Sequence, residues 1–285
     1  MKKIIILIPT YNDCKSLRLL LCKINKYFIN EKIILEILII NDCSSEKYYL
    51  QDLKLKNIKS IKIINLTKNV GSQKAIFFGL NKISKLKKRS TVVIMDSDGE
   101  DDPSKISKLA NKANQNDDAI IFALRKKRLE PFFFQLLNKL RLFITFLLTG
   151  KYFNFGNFSA FSNRNLKNLL KNNNLSIAYC SGVLKNHHEI ELVPIPKRKR
   201  YHGISKVNIF FLIKHSLNII SIFYIQVFLR TTAILLCIIY FNFLGLNNLI
   251  IVFFLITNSI FFFLYFFGII NGNSRKFISK VKKIK

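Results

Sequence analysis

Along the first half of the chain, short apolar runs alternate with longer segments that mix polar and apolar residues. The runs Ile4–Ile8, Leu35–Ile40, Ile61–Leu66, Thr91–Met95 and Ala119–Ala123 are apolar nearly throughout, as strands covered on both faces are. Between them, Ser16–Phe28, Ser72–Leu86 and Ser104–Asn114 read as helices, the last two opening on a serine suited to capping. Strands alternating with helices predict βαβ units and a doubly wound, mostly parallel α/β sheet. Such a sheet binds ligands beyond the carboxyl ends of its strands, so the polar residues there are the candidates for chemistry.

Later the pattern changes. Phe132–Thr149 is apolar but interrupted by Gln135, Asn138, Lys139 and Arg141. It fits a helix lying in a membrane interface with its basic residues snorkelling, or an ordinary core helix. From about Ile209 onward Phe, Ile and Leu dominate. Leu249–Ile270 carries no charge and is long enough for about 30 Å of hydrocarbon. Thr231–Leu246 is shorter, and Asn247-Asn248 between the two reads as a turn. Basic residues precede the first run (Lys197 to Lys214) and follow the second (Arg275 to Lys285), which puts both ends in the cytoplasm by the positive-inside rule. The expected organisation is a soluble α/β domain over 1–208 that includes the membrane-contact segment 132–149. An interfacial amphipathic helix over 209–228, two transmembrane helices over 229–270 and a basic cytoplasmic tail over 271–285 follow.

Charge sharpens this division. The net charge of +30 fits nucleic acid or anionic lipid, although a chain rich in Lys, Asn, Ile and Phe also has the composition of a low-GC genome. Its distribution discriminates. From Leu192 to Lys285 there is no Asp or Glu while Lys and Arg number thirteen, and the apolar runs lie in the same stretch. Lipid phosphates are therefore the expected partner and nucleic acid is not. The five cysteines are dispersed without C-x-x-C spacing, as reduced thiols in a cytosolic compartment are. The N-terminal apolar run stops at Pro9, too early for a signal-peptide core.

The most informative stretch runs from Val92 to Pro103. A buried strand ends in Asp96, Asp98, Glu100, Asp101 and Asp102, five of the sixteen acids in the protein. Like charges at this density repel and raise one another's pKa values, and a hard divalent cation, Mg²⁺ or Mn²⁺, removes that repulsion. A solvated acidic turn is the plainer alternative. Two more strand ends share the same edge. Pro9-Thr10-Tyr11-Asn12-Asp13 precedes a helix N-terminus suited to phosphate, with Tyr11 able to stack on a base. Asn41-Asp42-Cys43-Ser44-Ser45 offers Asp42 as an acceptor for a base or ribose.

These blocks, Ile8 to Asn12, Ile40 to Ser44, Asn69-Val70-Gly71-Ser72-Gln73-Lys74-Ala75 and Met95 to Asp101, stand in the order seen in glycosyltransferase family 2. The chain resembles its polyprenyl-phosphate branch, the dolichol-phosphate mannose synthases and undecaprenyl-phosphate glucosyltransferases. Phe155-Gly156-Asn157-Phe158-Ser159 and Arg200-Tyr201-His202-Gly203-Ile204-Ser205-Lys206 are similar to its later blocks. The resemblance implies a GT-A fold with an interfacial helix and a two-helix transmembrane hairpin. It implies a nucleotide-sugar donor, UDP- or GDP-linked, held by Pro9, Thr10, Tyr11, Asp42, Asn69, Gly71, Lys74, Asp96 and Arg125. It further implies metal ligation by Asp96, Asp98 and Glu100, and phosphate contacts on the acceptor side from Arg128, Arg200, Ser205 and Lys206.

The residues expected nearest the reaction are Asp98, Asn157 and Arg200. Many relatives have Asp where this chain has Asn157, and Gly99-Glu100-Asp101 replaces the usual residues after the acid pair. Between Pro131 and His188 there is no Asp or Glu. A sugar hydroxyl acceptor needs a general base, whereas a phosphate acceptor is already anionic near neutral pH. The expected reaction is inverting transfer to a polyprenyl phosphate at the cytoplasmic face of the inner membrane, with room for a homo-oligomer. Transfer to a hydroxyl of a lipid-linked saccharide or polysaccharide, and a degenerate membrane scaffold, are the alternatives.

Overall fold

The computed structural model describes residues 2–29, 32–86, 88–125, 132–152, 155–171, 173–186, 189–203, 209–240 and 247–271. They form two compact units, one from the stretches up to 129 and from 155 to 206, the other from 130–154 and 207–273.

The first unit is built on a seven-stranded sheet. Its strands are β1 (Lys2–Thr10), β2 (Ile33–Asn41), β3 (Ser60–Asn65), β4 (Thr91–Ile94), β5 (Ile120–Arg125), β6 (Phe155–Ser162) and β7 (Ile190–Ile195), in the spatial order β3-β2-β1-β4-β6-β5-β7. All pairings are parallel except those of β6 with β4 and with β5. The five predicted strands are all present. The two strands with no apolar run to mark them are additions: β6 alternates aromatic and small residues, and β7 contains Pro194.

Because side chains alternate across a strand, the central strands feed two cores. Ile4, Ile6 and Ile8 pack under α1 (Cys14–Tyr27) and α3 (Ile106–Gln115), whereas Ile5 and Leu7 pack under α2 (Ser72–Ile83). Helix α2 lies close to the sheet: a Cβ on Gly79 would fall 2.3 Å from Leu7 Cδ1. The expected serine caps are corrected. Ser72 is the first residue of α2, behind Gly71 at φ 87° with no side-chain cap. Ahead of α3, Asp102 rather than Ser104 provides the cap, accepting from the Ser104 N–H at 3.0 Å. Asp holds this role through its charge and short reach.

The second unit contains α4 (Phe132–Thr149), α7 (Ile209–Ile222), α8 (Tyr224–Tyr240) and α9 (Asn247–Asn271). The short helices α5 (Leu166–Leu169) and α6 (Tyr179–Lys185) belong to the first unit. Within the second unit the Arg141 guanidinium donates to Asn138 Oδ1 at 2.9 Å, and Thr231 Oγ1 bonds Asn258 Oδ1 at 3.0 Å, tying α8 to α9. Many large apolar side chains stay exposed, Phe143 at 61% and Phe253 at 70% among them. Among the described residues no single helix is long and apolar enough to cross a membrane. The pair Leu212–Ile222 and Tyr224–Cys237 passes together but bends by 88°. That bend divides the interfacial helix expected over 209–228 at Phe223, where no Pro or Gly marks it.

Candidate active site

The order of the sheet reverses at β1, whose neighbours are β2 on one side and β4 on the other. The crevice for a ligand therefore lies beyond the carboxyl ends of β1 and β4. Three loops meet there: 11–13 after β1, 42–48 after β2 and 95–102 after β4. Two non-glycine residues in them adopt left-handed backbone, Asn12 at φ 46° and Cys43 at φ 60°. Such conformations are uncommon outside glycine and cluster at functional sites.

Side chains lock the first two loops together. Asn12 Oδ1 accepts from the Ser45 N–H at 2.9 Å while the Asn12 N–H donates to Ser44 Oγ at 2.8 Å. The Tyr48 hydroxyl sits 2.9 Å from Ser44 Oγ and 3.1 Å from Thr10 Oγ1. Pro9 and Thr10 are buried, while Tyr11 is 42% exposed at the mouth of the crevice, where a base could stack on it. Asp42, expected as an acceptor for base or ribose, also organises a neighbouring loop. Its two oxygens accept the Val70 and Gly71 N–H groups, each at 2.8 Å, so the carboxylate shapes the loop that carries Asn69 and Gly71. Burial raises its pKa, against the pull of those two donors. Asn69 and Gly71 are exposed, and Lys74 lies in the first turn of α2.

The acid loop is organised pair by pair. Asp98 Oδ1 accepts the Glu100 N–H at 2.9 Å, and Asp98 Oδ2 lies 3.3 Å from Arg200 Nη1. Burial first, and then the charge of Asp96, push the Asp98 pKa up to about 6. Asp101 accepts the Asp96 N–H at 3.0 Å. Glu100, expected as a metal ligand, pairs with Lys197 at 3.0 Å, and Asp102 pairs with Arg198 at the same distance. The basic run 197–200 therefore lies along the acid loop, reinforced by the Arg198 N–H donating to Glu100 O and the Tyr201 N–H to Asp98 O. Gly99, at φ 84°, faces the Tyr201 ring so closely that a Cβ there would fall 2.4 Å from it. Asp13 received no role from the sequence; it accepts from Ser97 Oγ at 3.1 Å and lies 3.7 Å from Arg200 Nη2.

Strand β6 brings in Asn157. Ile94 pairs with Ser159 in antiparallel register, so two residues further on Asn157 meets Asp96, donating from Nδ2 to Asp96 Oδ1 at 3.3 Å. Of the expected trio, Asn157 therefore touches Asp96, while Arg200 lies beside Asp98. Arg125 ends β5, but its side chain, together with Arg128, Ser205 and Lys206, lies outside the described residues.

Among the described residues, no three His, Cys, Asp or Glu side chains converge as a complete metal shell. The donor set fits a cation that takes only Asp96 and Asp98 from the protein and its remaining ligands from phosphate oxygens, the usual partial shell of Mg²⁺. The Asp98 pKa is raised first by burial and then by the charge of Asp96, while Arg200 pulls it the other way.

An open sheet of this order, with an acid pair at the strand end beside the switch point, defines a nucleotide-sugar-binding domain of GT-A type. The profile described as Glycosyl transferase family 2 matches residues 5–185. The chain belongs to that family. Over 124 residues it is 31% identical to an uncharacterized glycosyltransferase of Synechocystis sp., covering 43% of this chain and 37% of that protein. The chain thus spans little more than a third of that curated relative. Glucosyl-3-phosphoglycerate synthase from Mycobacterium tuberculosis, solved with Mn²⁺, UDP and phosphoglyceric acid, superposes with a TM-score of 0.54 at 12% identity over 79% of this chain and 78% of its own. Another mycobacterial protein gives 0.55 at 13% identity, over 79% of this chain and 74% of its own. At these identities the likeness is one of fold.

Proposed function

We propose that the chain transfers a sugar from a nucleotide-sugar to a polyprenyl phosphate at the cytoplasmic face of a membrane, using Mg²⁺ or Mn²⁺. UDP is the nucleotide to test first, because the M. tuberculosis synthase of the same fold was solved with it. A bound cation would offset the charge that develops on the departing diphosphate. Asp96 and Asp98 are the residues to hold it, and Arg200, 3.3 Å from Asp98, is placed to follow the phosphates. Tyr11 offers an exposed ring for the base, and the loop pinned by Asp42 presents Asn69 and Gly71 to the donor.

The observation that carries the choice of acceptor is Asn157. It stands against Asp96 as a donor where a general base would be useful, and no Asp or Glu lies between Pro131 and His188. An acceptor that is already an anion needs no such base. The exposed apolar side chains of the second unit and the acid-free basic stretch after Leu192 support a membrane-borne acceptor.

Incubating the full chain in membranes with radiolabelled nucleotide-sugars, with and without a chelator, tests this. Label should move into organic solvent only when metal is present. Label that remains in water-soluble polymer, or appears equally with chelator, sinks the reading.

A further inference from the structure

One side chain outside the assigned set bears on the same chemistry. Gln73, in the first turn of α2, is half-buried, and its Oε1 accepts the Tyr179 N–H at 2.6 Å. Tyr179 opens α6, whose first N–H groups have no partner within the helix. The other end of the Gln73 amide, Nε2, lies 3.3 Å from Asn157 Oδ1, and Asn157 Nδ2 lies 3.3 Å from Asp96 Oδ1.

The polarity of this chain is fixed from one end. A backbone N–H can only donate, so the Gln73 atom facing Tyr179 must be oxygen. Its nitrogen then faces Asn157, which must answer with oxygen, and the Asn157 nitrogen must point at Asp96. Reversing either amide would set two donors or two acceptors against each other. Asn157 is thereby committed as a donor to the Asp96 carboxylate, a bond strengthened by the acceptor's charge.

We infer that Gln73 is a positioning residue for the transfer reaction: through Asn157 it holds the Asp96 carboxylate in the orientation that receives the cation and diphosphate. The inference rests on the functional reading above and deepens it. Asp96 follows β4 and Asn157 lies in β6, while α2 and α6 pack on the sheet face that holds Leu7 and Phe122. The amide chain therefore couples the orientation of the acid to a packed layer and not to a loop.

The test uses the full chain in detergent micelles, with Mn²⁺ and UDP as probes. Gln73→Glu is the informative change. Its carboxylate still accepts from Tyr179, so α6 stays capped and the melting temperature should stay near that of the parent. Facing Asn157, however, it presents an acceptor where Gln73 presented a donor, which turns the Asn157 oxygen toward Asp96. Mn²⁺ affinity in the UDP complex should fall on the order of tenfold, the loss of one hydrogen bond to a charged group. The turnover number should fall with it, while the KM for acceptor stays. Gln73→Leu should lose both the affinity and some thermal stability. A Gln73→Glu protein that binds Mn²⁺ with UDP as tightly as the parent would overturn the inference and leave the functional reading intact. A parent chain whose UDP binding ignores Mn²⁺ would overturn both.

Discussion

Asp42 and Asp98 each follow a central strand, β2 and β4, and each opens onto the same crevice, yet their carboxylates are settled in opposite ways. Asp42 gives both oxygens to backbone N–H groups of the chain itself, Val70 and Gly71. Asp98 has one backbone donor and one cation at 3.3 Å, and it sits beside Asp96, with its pKa pushed up to about 6. One acid builds the loop that faces the ligand. The other sits buried beside a second acid, with one backbone donor and one guanidinium, and its pKa is raised. Residue type and position along a strand do not distinguish these roles; the donors that reach each oxygen do.

The same substitution at both positions should break the pair apart. Asp98→Asn is expected to lower sugar transfer by about a thousandfold, since under the proposed function it removes a ligand to the cation that would stabilise the leaving group. It should also stabilise the metal-free fold at pH 7 by roughly 1–2 kcal/mol, because it removes a buried charge that folding raises in energy. The sign follows from proton binding. Between the ordinary carboxylate range and about pH 6 the folded Asp98 holds a proton that the unfolded chain has released, so this group's contribution to stability falls as pH rises. Thermal melts of the chelator-treated parent should therefore improve from pH 7 to pH 5, and those of Asp98→Asn should lack that component. Asp42→Asn should act the other way, destabilising by about 1–2 kcal/mol: removing a charge that burial disfavours helps here too, but an amide nitrogen would face either the Val70 or the Gly71 N–H, and that unmet pair outweighs the gain. Equal and opposite shifts are not required. If both variants shift in the same direction, the distinction between the two acids is wrong.

Next in size is Gly99→Ala. Gly99 holds φ at 84°, and an added methyl carbon would meet the Tyr201 ring at 2.4 Å. The two effects together should cost about 1–2 kcal/mol. Adding Tyr201→Ala removes the collision but not the backbone strain, so the double variant should recover part of the contact component alone. Guanidinium chloride unfolding of both variants measures the split.

Much of this was legible along the chain. The five apolar runs became five strands because burial on both faces leaves little freedom in residue type. The acid pair was legible because Asp96 and Asp98 are so dense in acid against a basic background. Strand β6 was not, since Phe155-Gly156-Asn157-Phe158-Ser159 carries no continuous apolar run, yet it is the strand that delivers Asn157 to Asp96. Gln73 was hidden for a different reason. Its role depends on a backbone N–H at Tyr179, distant in sequence, and a backbone donor leaves no signature in residue type. Glu100 was expected as a metal ligand from the family resemblance, and only the fold shows Lys197 beside it as well.

The smallest expected effect concerns the rim of the acid loop. Arg198 lies 3.0 Å from Asp102, but its side chain is 40% exposed, so solvent screens the pair. Arg198→Ala should therefore cost under about 1 kcal/mol at pH 7. Burial alone would raise the Asp102 pKa; hydrogen bonds from Ser104 and Arg198 overcome that and hold it below the usual carboxylate range. With a lowered pKa, the contribution is present above the ordinary carboxylate range and is lost as pH falls through the folded value. The deficit of Arg198→Ala relative to the parent should thus shrink in acid. Asp98 moves the other way over pH 5 to 7, so one series of melts separates the two acids of a single loop. A deficit for Arg198→Ala that grows as pH falls would mean that the basic run holds this loop through contacts other than the carboxylate of Asp102.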